Sequence, residues 1–176
     1  MATATTLISI DEYLRTAYHP DADFVDGQIE ERNLGEFEHA YLQTAIGSWF
    51  FTRRDEWKIY AATEQRIRVA PSRVRICDVA LISRAHPREP VTQTPPLACI
   101  EILSPVLPAN ARLPRAAQLM QDYANMGIQN LWLLDPIDRI AYVYTAEAQF
   151  KIVEDRLTIP NTPIHLDLPT LFETVS

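Results

Sequence analysis

Apolar residues recur at helical spacing in three segments of the chain. The first segment follows Ser9, a residue type that favours the N-cap of a helix. The second covers about residues 36–53 and the third about residues 112–126, where Gly127 follows as a C-cap. The pattern predicts three helices, with the longest in the second segment.

Short runs of β-branched and aromatic residues between these helices predict strands. Asp26-Gly27 is a strong hairpin signal and should join two short strands. Longer strands are expected at residues 57–69, 74–82, 97–103, 128–134, 140–144 and 150–153, with a last strand and a short helix within 166–175. Because a helix separates the strands at 97–103 and 128–134, these three elements predict a βαβ unit. The fold class is therefore α/β.

The composition is that of one globular domain. A chain of 176 residues with 47% hydrophobic residues forms a single core efficiently, so one domain spanning residues 1–176 is expected. No apolar run approaches the roughly 20 residues that cross a bilayer. Met1–Ile10 lacks the basic and apolar regions of a secretory signal. A cytoplasmic protein without a membrane segment is expected.

The net charge of −7 makes long-range attraction to nucleic-acid phosphates weak, which counts against a pure nucleic-acid binder. An enzyme that gathers carboxylates around a divalent cation tolerates the same charge, because the bound ion inverts the local potential. Two cysteines and four scattered histidines give neither a disulfide framework nor a zinc-ligand spacing.

Two acids interrupt otherwise apolar strands. Asp78 lies within Arg75–Ile82, and Glu101 lies within Ala98–Leu103. An unpaired charge is costly to bury, so each acid needs a partner. Two carboxylates on one face of adjacent strands can share Mg²⁺, a cation that prefers oxygen ligands. The alternative is structural: Asp78 caps a turn, and Glu101 pairs with one of the 16 basic residues.

Strict alternation along a strand also gives an expectation for the cysteines. Cys77 and Asp78 point to opposite faces, whereas Cys99 and Glu101 share one face. If the two acids converge, the two thiols face away from each other, and no disulfide is expected.

Six blocks of the sequence, by their order and spacing, resemble the Uma-two family of endonucleases, a branch of the PD-(D/E)xK superfamily. The resemblance extends from end to end of the chain. The blocks are Phe24–Gly27, Thr63–Arg66, Arg75–Ile82, Cys99–Pro105, Asp122–Ile128 and Trp132–Pro136. The most specific of them is the Ile-Glu-Ile-Leu-Ser-Pro block around Glu101.

The resemblance implies a restriction-endonuclease-like fold, with a mixed central sheet flanked by helices. It also implies Mg²⁺-dependent hydrolysis of phosphodiester bonds in DNA, with Mn²⁺ as an alternative ion, and it assigns the metal to Asp78 and Glu101. An acid from the first long helix often joins the pair. Glu38 fits this role because it lies on the inward stripe, whereas Glu36 points away. Asp23 would take the place of Glu38 if it lay in the cluster.

The lysine of the superfamily motif is missing from this chain. Superfamily members place it two residues after the glutamate, at Leu103 here, and the family often moves it to the next helix, at Leu119. Neither of the two lysines, Lys58 and Lys151, falls in a matching block. The predicted endonuclease is therefore impaired unless another residue supplies the charge.

Polar residues near Leu119 are candidates for that task. Arg115 lies one helical turn before it, and Arg112 lies further along the same stripe. An arginine supplies charge to a phosphate but no base, because guanidinium does not deprotonate, so Gln118 is the candidate for orienting water. The alternative is that both arginines are solvated helix residues. His39 is either a proton carrier or a hydrogen-bonded residue at the core edge.

Three functional interpretations remain from the sequence. An endonuclease that cuts duplex DNA needs two sites, so the superfamily analogy implies a homodimer with DNA as substrate. A member of the same fold that lost catalysis would bind nucleic acid or protein. A structural partner protein would use a surface formed by Trp132, Tyr142 and Tyr144. The Asp26-Gly27 hairpin is expected to pack near the first long helix rather than at the site.

Overall fold

The structure is a computed structural model that describes residues 6–32 and 36–176 of the chain. Along these residues the helices and strands follow the predicted order. Residues 1–5 and 33–35 lie outside the described residues. The first of these ranges is the start of Met1–Ile10, the segment that lacks a secretory-signal pattern. The helices are α1 (Ile10–Arg15), α2 (Phe37–Trp57), α3 (Ala109–Met126) and α4 (Leu168–Thr174). The strands are β1 (Ala22–Val25), β2 (Gln28–Glu31), β3 (Ile59–Ala70), β4 (Arg73–Ser83), β5 (Ala98–Ile102), β6 (Asn130–Asp135), β7 (Ile140–Tyr144), β8 (Phe150–Val153), β9 (Arg156–Thr158) and β10 (His165–Asp167).

Local signals in the sequence account for several element boundaries. The Ser9 side chain accepts the N–H of Glu12 and caps α1. Asp26 and Gly27 have φ of 49° and 93°, the left-handed values that a tight two-residue hairpin turn requires. Gly127, with φ of 99°, ends α3 as predicted. The one strand without a sequence prediction is β9, which has a single buried residue in three.

Eight strands form one mixed sheet in the order β2-β1-β4-β5-β6-β7-β8, with β3 along the other edge of β4. β4 pairs with β3 along nearly its whole length. Its second edge is shared, because Arg73 and Val74 pair with β1 while residues 79–81 pair with β5. Among the described residues, residues 75–78 therefore have no strand partner on that edge, and the sheet forks around them.

The predicted βαβ unit is confirmed. β5 and β6 are parallel, with Ala98–Ile102 opposite Asn130–Leu134, and α3 connects them. The other pairings between the named strands of this sheet are antiparallel. A mixed sheet flanked by helices is the fold class that the sequence predicted.

The sheet separates two main hydrophobic clusters. Leu42, Ile46 and Phe50 of α2 pack on one face, and Met120 and Tyr123 of α3 pack on the other. These spacings are helical, so each helix buries one stripe against the sheet. Among the helices of the described residues, none combines the length and the apolar character that a bilayer span requires.

The predicted partner surface of aromatic residues is wrong. Trp132 is 1% exposed and lies inside the α2 cluster. Tyr144 is buried in the α3 cluster, against which Tyr142 also packs. β6 is buried along nearly its whole length, and β7 is buried at Ala141 and Tyr144, so Trp132 and Tyr144 are not available for such a surface.

The regular alternation of β4 breaks at Asp78. Cys77 packs in the α3 cluster and Val79 in the α2 cluster, although residues two apart on a regular strand share a face. On β3, Glu64 faces this position and has φ of 52°, a value that is unusual for any residue but glycine. The expectation that the thiols face away from each other is therefore wrong, because Cys77 and Cys99 pack in the same cluster.

Candidate active site

A cavity of about 810 Å³ opens where the sheet forks. Its walls are the free edge of β4, the β1–β2 hairpin, the start of α2 and one side of α3. The charged lining residues are Asp21, Asp23, Glu30, Glu31, Glu36, Glu64, Asp78 and Glu101, together with Arg32, Arg75, Arg112 and Arg115. Because the acids outnumber the arginines, the cavity favours cations over anions.

Side chains replace the missing strand along the free edge of β4. The N–H of Ile76 donates to Asp23 Oδ1 at 2.9 Å. The side-chain amide of Gln43, on α2, donates to the carbonyl of Asp78 at 2.9 Å. Buried backbone groups without partners are costly, so these two contacts allow the strand to stay unpaired here and leave room for the cavity.

Asp78 lies at the fork with 1% of its surface exposed. Its Oδ1 accepts from Arg32 Nη2 at 2.5 Å, and its Oδ2 accepts from the N–H of Ile102 at 2.8 Å and lies 3.2 Å from His39 Nε2. Burial opposes the charge, but the hydrogen bond to His39 and the positive charge of Arg32 outweigh it and hold the pKa of Asp78 below its ordinary value. Asp78 is therefore a carboxylate in the folded protein.

Glu101 lies on the strand adjacent to Asp78, as predicted. The Val79–Ile100 pair of β4 and β5 places Glu101 across from Asp78 at the next position. Its Oε1 accepts from the Tyr123 hydroxyl at 2.7 Å, while none of the described residues donates to its Oε2. Burial and then the negative charge of Asp78 raise the pKa of Glu101 well above its ordinary value. The surroundings therefore drive the pKa values of these two neighbouring carboxyls in opposite directions.

His39 and Arg32 hold Asp78 from two sides. Burial lowers the pKa of His39, but the hydrogen bond and the charge of Asp78 more than offset this and raise it above its ordinary value. The His39 side chain is 17% exposed. This contact fits the expectation of a hydrogen-bonded histidine at the core edge. Arg32 also pairs with Glu64, which makes it a bridge between two carboxylates.

The predicted third acid does not join this pair. Glu38 is exposed and does not line the cavity, so its assignment to the site is contradicted. Successive helical residues lie about 100° apart, and it is Glu36, His39 and Gln43 that face the cavity from α2. Within residues 6–32 and 36–176, no group of three or more His, Cys, Asp or Glu side chains is placed to hold a metal ion.

The hairpin of β1 and β2 forms part of the cavity wall, contrary to the expectation that it would pack away from the site. Its position follows from the pairing of β1 with the start of β4. Asp23 lines the cavity, but its Oδ2 pairs with Arg75 Nη1 at 3.1 Å and its Oδ1 takes the Ile76 N–H. Burial raises the pKa of Asp23 even against the charge of Arg75. Asp23 therefore belongs to a separate ion-pair cluster.

All four residues predicted from α3, namely Arg112, Arg115, Gln118 and Leu119, line the cavity. Arg112 donates to two backbone carbonyls of the loop before α3, at 2.8 and 3.0 Å. Arg115 donates to a backbone carbonyl of β2 at 3.2 Å. In the described structure neither arginine contacts Asp78 or Glu101. Both arginines therefore hold parts of the wall together, and Leu119 lies where the resemblance led us to look for a lysine.

The sequence patterns did not indicate four residues whose side chains contact the acid pair or its partners: Arg32, Gln43, Glu64 and Tyr123. Glu64 and Tyr123 fall inside blocks of the family resemblance, so their place in the sequence was a usable signal. Arg32 follows the hairpin and lies outside those blocks. Its contact with Asp78 joins residues that are 46 positions apart, which no local pattern indicates.

Comparisons with known proteins identify the family and the fold of the chain. A family model named Uma2, described as "Putative restriction endonuclease", matches residues 10–172. A solved structure from Anabaena variabilis, described as a "putative nuclease belonging to DUF820", is similar with a TM-score of 0.80 and 20% sequence identity. The match covers 96% of this chain and 99% of the other. No curated protein matches the chain.

Proposed function

Because the chain belongs to the Uma2 family and its fold is that of a nuclease, we propose that it is an endonuclease that hydrolyses phosphodiester bonds in DNA with Mg²⁺ or Mn²⁺. The family and the fold support a nuclease-like function. The ion and the DNA substrate are our proposal, and they rest on the chemistry of the cavity.

One observation carries the proposal: Asp78 and Glu101 are two buried carboxyls on adjacent strands at the wall of a cavity. Two negative charges this deeply buried are unfavourable, and burial together with the charge of Asp78 raises the pKa of Glu101. Oxygen donors of this kind are the ligands that Mg²⁺ prefers. The donor set therefore fits a divalent cation, with Asp78 and Glu101 as the protein ligands.

The residues of the chain have separate tasks in this proposal. A bound divalent cation would polarise a phosphate oxygen and lower the pKa of the attacking water. Tyr123 orients Glu101 through its hydroxyl, and the N–H of Ile102 fixes Asp78. Gln118 lines the same cavity and is the candidate for orienting water. Leu119 contributes no charge, so stabilisation of the developing negative charge depends on an arginine.

The test is nicking of supercoiled plasmid by purified wild type and Asp78→Asn in Mg²⁺, in Mn²⁺ and in excess EDTA. Glu38→Gln is the matched control, because it removes an exposed acid of the same helix-lined region that does not face the cavity. We expect nicking by wild type and by Glu38→Gln with either ion, and none in EDTA or by Asp78→Asn. Metal-independent DNA binding without nicking would instead support a non-catalytic member of the fold.

We also propose that the enzyme acts on duplex DNA as a homodimer, because one centre cuts one strand. A stripe of exposed apolar residues on the outer face of α2, formed by Phe37, Tyr41 and Phe51, is the candidate contact between the two copies. Light scattering after size-exclusion chromatography should give twice the 20.1 kDa chain mass for wild type. The Tyr41→Glu variant should shift the mass toward the monomer. A monomeric wild type would contradict this part of the proposal.

A further inference from the structure

We propose that Arg32 takes the place of the missing lysine and contacts the phosphate that is cleaved, with Glu64 as the residue that positions it. This inference rests on the proposed nuclease function. It names the source of positive charge at a cavity whose lining contains four arginines and no lysine.

The contacts of the other three arginines exclude them from this role. Arg75 is 7% exposed, and its donors are held by Asp23, Glu30 and Asp122. Arg112 and Arg115 donate to backbone carbonyls of the loop and of β2. Among the arginines of the cavity, Arg32 alone forms an ion pair with Asp78 in the described structure.

The geometry of Arg32 suits a phosphate contact. Its Nη2 lies 2.5 Å from Asp78 Oδ1 and its Nη1 pairs with Glu64, so two of the five N–H donors of a guanidinium form these contacts. The side chain is 20% exposed, whereas that of Asp78 is 1% exposed. The remaining donors are therefore available next to the acid pair, and a guanidinium binds phosphate oxygens in a bidentate manner.

The position of Glu64 in the sheet allows it to hold Arg32 beside the cavity. It interrupts the pairing of β3 and β4 with φ of 52°, a strained conformation for a residue with a side chain. Its Oε1 also accepts from Gln43 at 2.7 Å. The side chain is thus fixed from α2 while it holds Arg32 at the cavity.

The charges around Arg32 explain why it pairs with two carboxylates, Asp78 and Glu64. Without a divalent cation, Arg32 neutralises Asp78, which would otherwise be a buried unpaired charge. A cation bound by Asp78 and Glu101 would take over this neutralisation and weaken the attraction between Asp78 and Arg32. Glu64, which is half exposed, would then keep the guanidinium beside the site and leave it free to turn toward a phosphate.

Variants at Arg32 separate this role from simple competition with the metal. In Arg32→Gln we expect the single-turnover cleavage rate at saturating Mn²⁺ to fall by roughly a hundredfold, the usual effect of removing one donor to a developing anion. Mn²⁺ affinity, measured by calorimetry, should stay equal or increase. Arg32→Lys should recover part of the rate, and Glu64→Gln should lose less than Arg32→Gln. Arg88→Gln removes an exposed arginine that does not line the cavity, so it is the matched control and should stay within about threefold of wild type.

A binding measurement keeps the inference testable in a protein that does not cleave. A fluorescent single-stranded oligonucleotide is titrated in Ca²⁺ at several salt concentrations. Loss of one phosphate contact in Arg32→Gln should reduce the slope of log affinity against log salt by about 0.7. Wild type that binds but does not cleave would refute the nuclease and leave the contact measurable. An unchanged slope, or an Arg32→Gln variant that cleaves as fast as wild type, would overturn the role of Arg32.

Discussion

Two ion-pair clusters lie along the free edge of β4, one around Arg75 and one around Asp78 with its partner Arg32. They differ in whether every buried carboxyl oxygen has a donor. Arg75 pairs with the half-exposed Glu30 and with two buried acids, Asp23 and Asp122, and each of the four oxygens of the two aspartates has a donor. Arg32 pairs with Asp78 and Glu64, but the adjacent Glu101 keeps one oxygen without a donor among the described residues. The first cluster joins the hairpin to α3 and is complete by itself.

The second cluster is incomplete in a way that structural ion pairs are not. Its carboxyls face a cavity, the pKa of Asp78 is lowered, and burial next to Asp78 raises the pKa of Glu101. Neighbouring groups whose pKa values are driven apart are typical of functional sites. A buried acid is therefore a candidate functional group when its partners leave one of its oxygens without a donor and its pKa is raised.

The largest expected difference between the clusters is in catalysis. Asp78→Asn removes one of the two proposed metal ligands and should reduce Mn²⁺-dependent nicking by roughly a thousandfold, which corresponds to about 4 kcal/mol of lost transition-state stabilisation. Asp23→Asn changes the equivalent acid of the Arg75 cluster and should stay within about threefold per folded molecule. Equal losses in both variants, at equal folding by circular dichroism, would remove the distinction.

The free energy of unfolding should depend more on the Arg75 cluster than on the Asp78 cluster. Arg75→Met leaves Asp23 and Asp122 buried without their common partner, which costs about 3–5 kcal/mol in unfolding free energy. Arg32→Met should cost less, because Asp78 keeps the N–H of Ile102 and His39. Urea unfolding measures both values. A larger loss for Arg32→Met would contradict the structural assignment of the Arg75 cluster.

A positive charge added beside the Asp78 cluster should raise the nicking activity, whereas one added elsewhere on α3 should not. Leu119 lines the cavity at the position of the family lysine, so Leu119→Lys should raise Mg²⁺-dependent nicking by roughly tenfold. Gln121→Lys, an exposed position on the same helix outside the cavity, is the control for a general gain in DNA affinity. A similar gain in both variants would show that the charge acts on binding rather than at the site.

The smallest expected effect concerns pH. In the metal-free protein Glu101 keeps a proton that the unfolded chain releases above its ordinary pKa of 4.5, so this residue lowers stability as pH rises from that value. Glu101→Gln removes the loss and still accepts from Tyr123. The melting temperature of the variant relative to that of wild type should therefore increase as pH rises above 4.5. His39 titrates in both proteins, so it leaves the difference unchanged. A difference that shrinks with pH would contradict the raised pKa of Glu101.

The sequence predicted the fold well because its signals are local. Ser9, the Asp26-Gly27 turn, Gly127 and the apolar runs define boundaries through their own backbone preferences. Asp78 and Glu101 were found for the same reason, since each is an acid in an apolar strand. Glu38 was wrong because a helical stripe read from sequence is uncertain by one residue, which is about 100°.

The partners of the acid pair could not be found in this way. Arg32 reaches Asp78 from a segment 46 residues away, and Glu64 faces it through a break in strand alternation. The same break reversed the prediction for the thiols of Cys77 and Cys99. Such contacts depend on how the strands pair at the fork, which alternation of residues along one strand does not determine.

The central claim is that Asp78 and Glu101 together hold one divalent cation. Calorimetric titration of metal-free protein with Mn²⁺ tests it without any dependence on cleavage, and Glu38→Gln again serves as control. We expect one bound ion per chain in wild type and in the control, and loss of that ion in Asp78→Asn and in Glu101→Gln. Wild type that binds no Mn²⁺ at millimolar concentration, or variants that bind it as well as wild type, would contradict the claim.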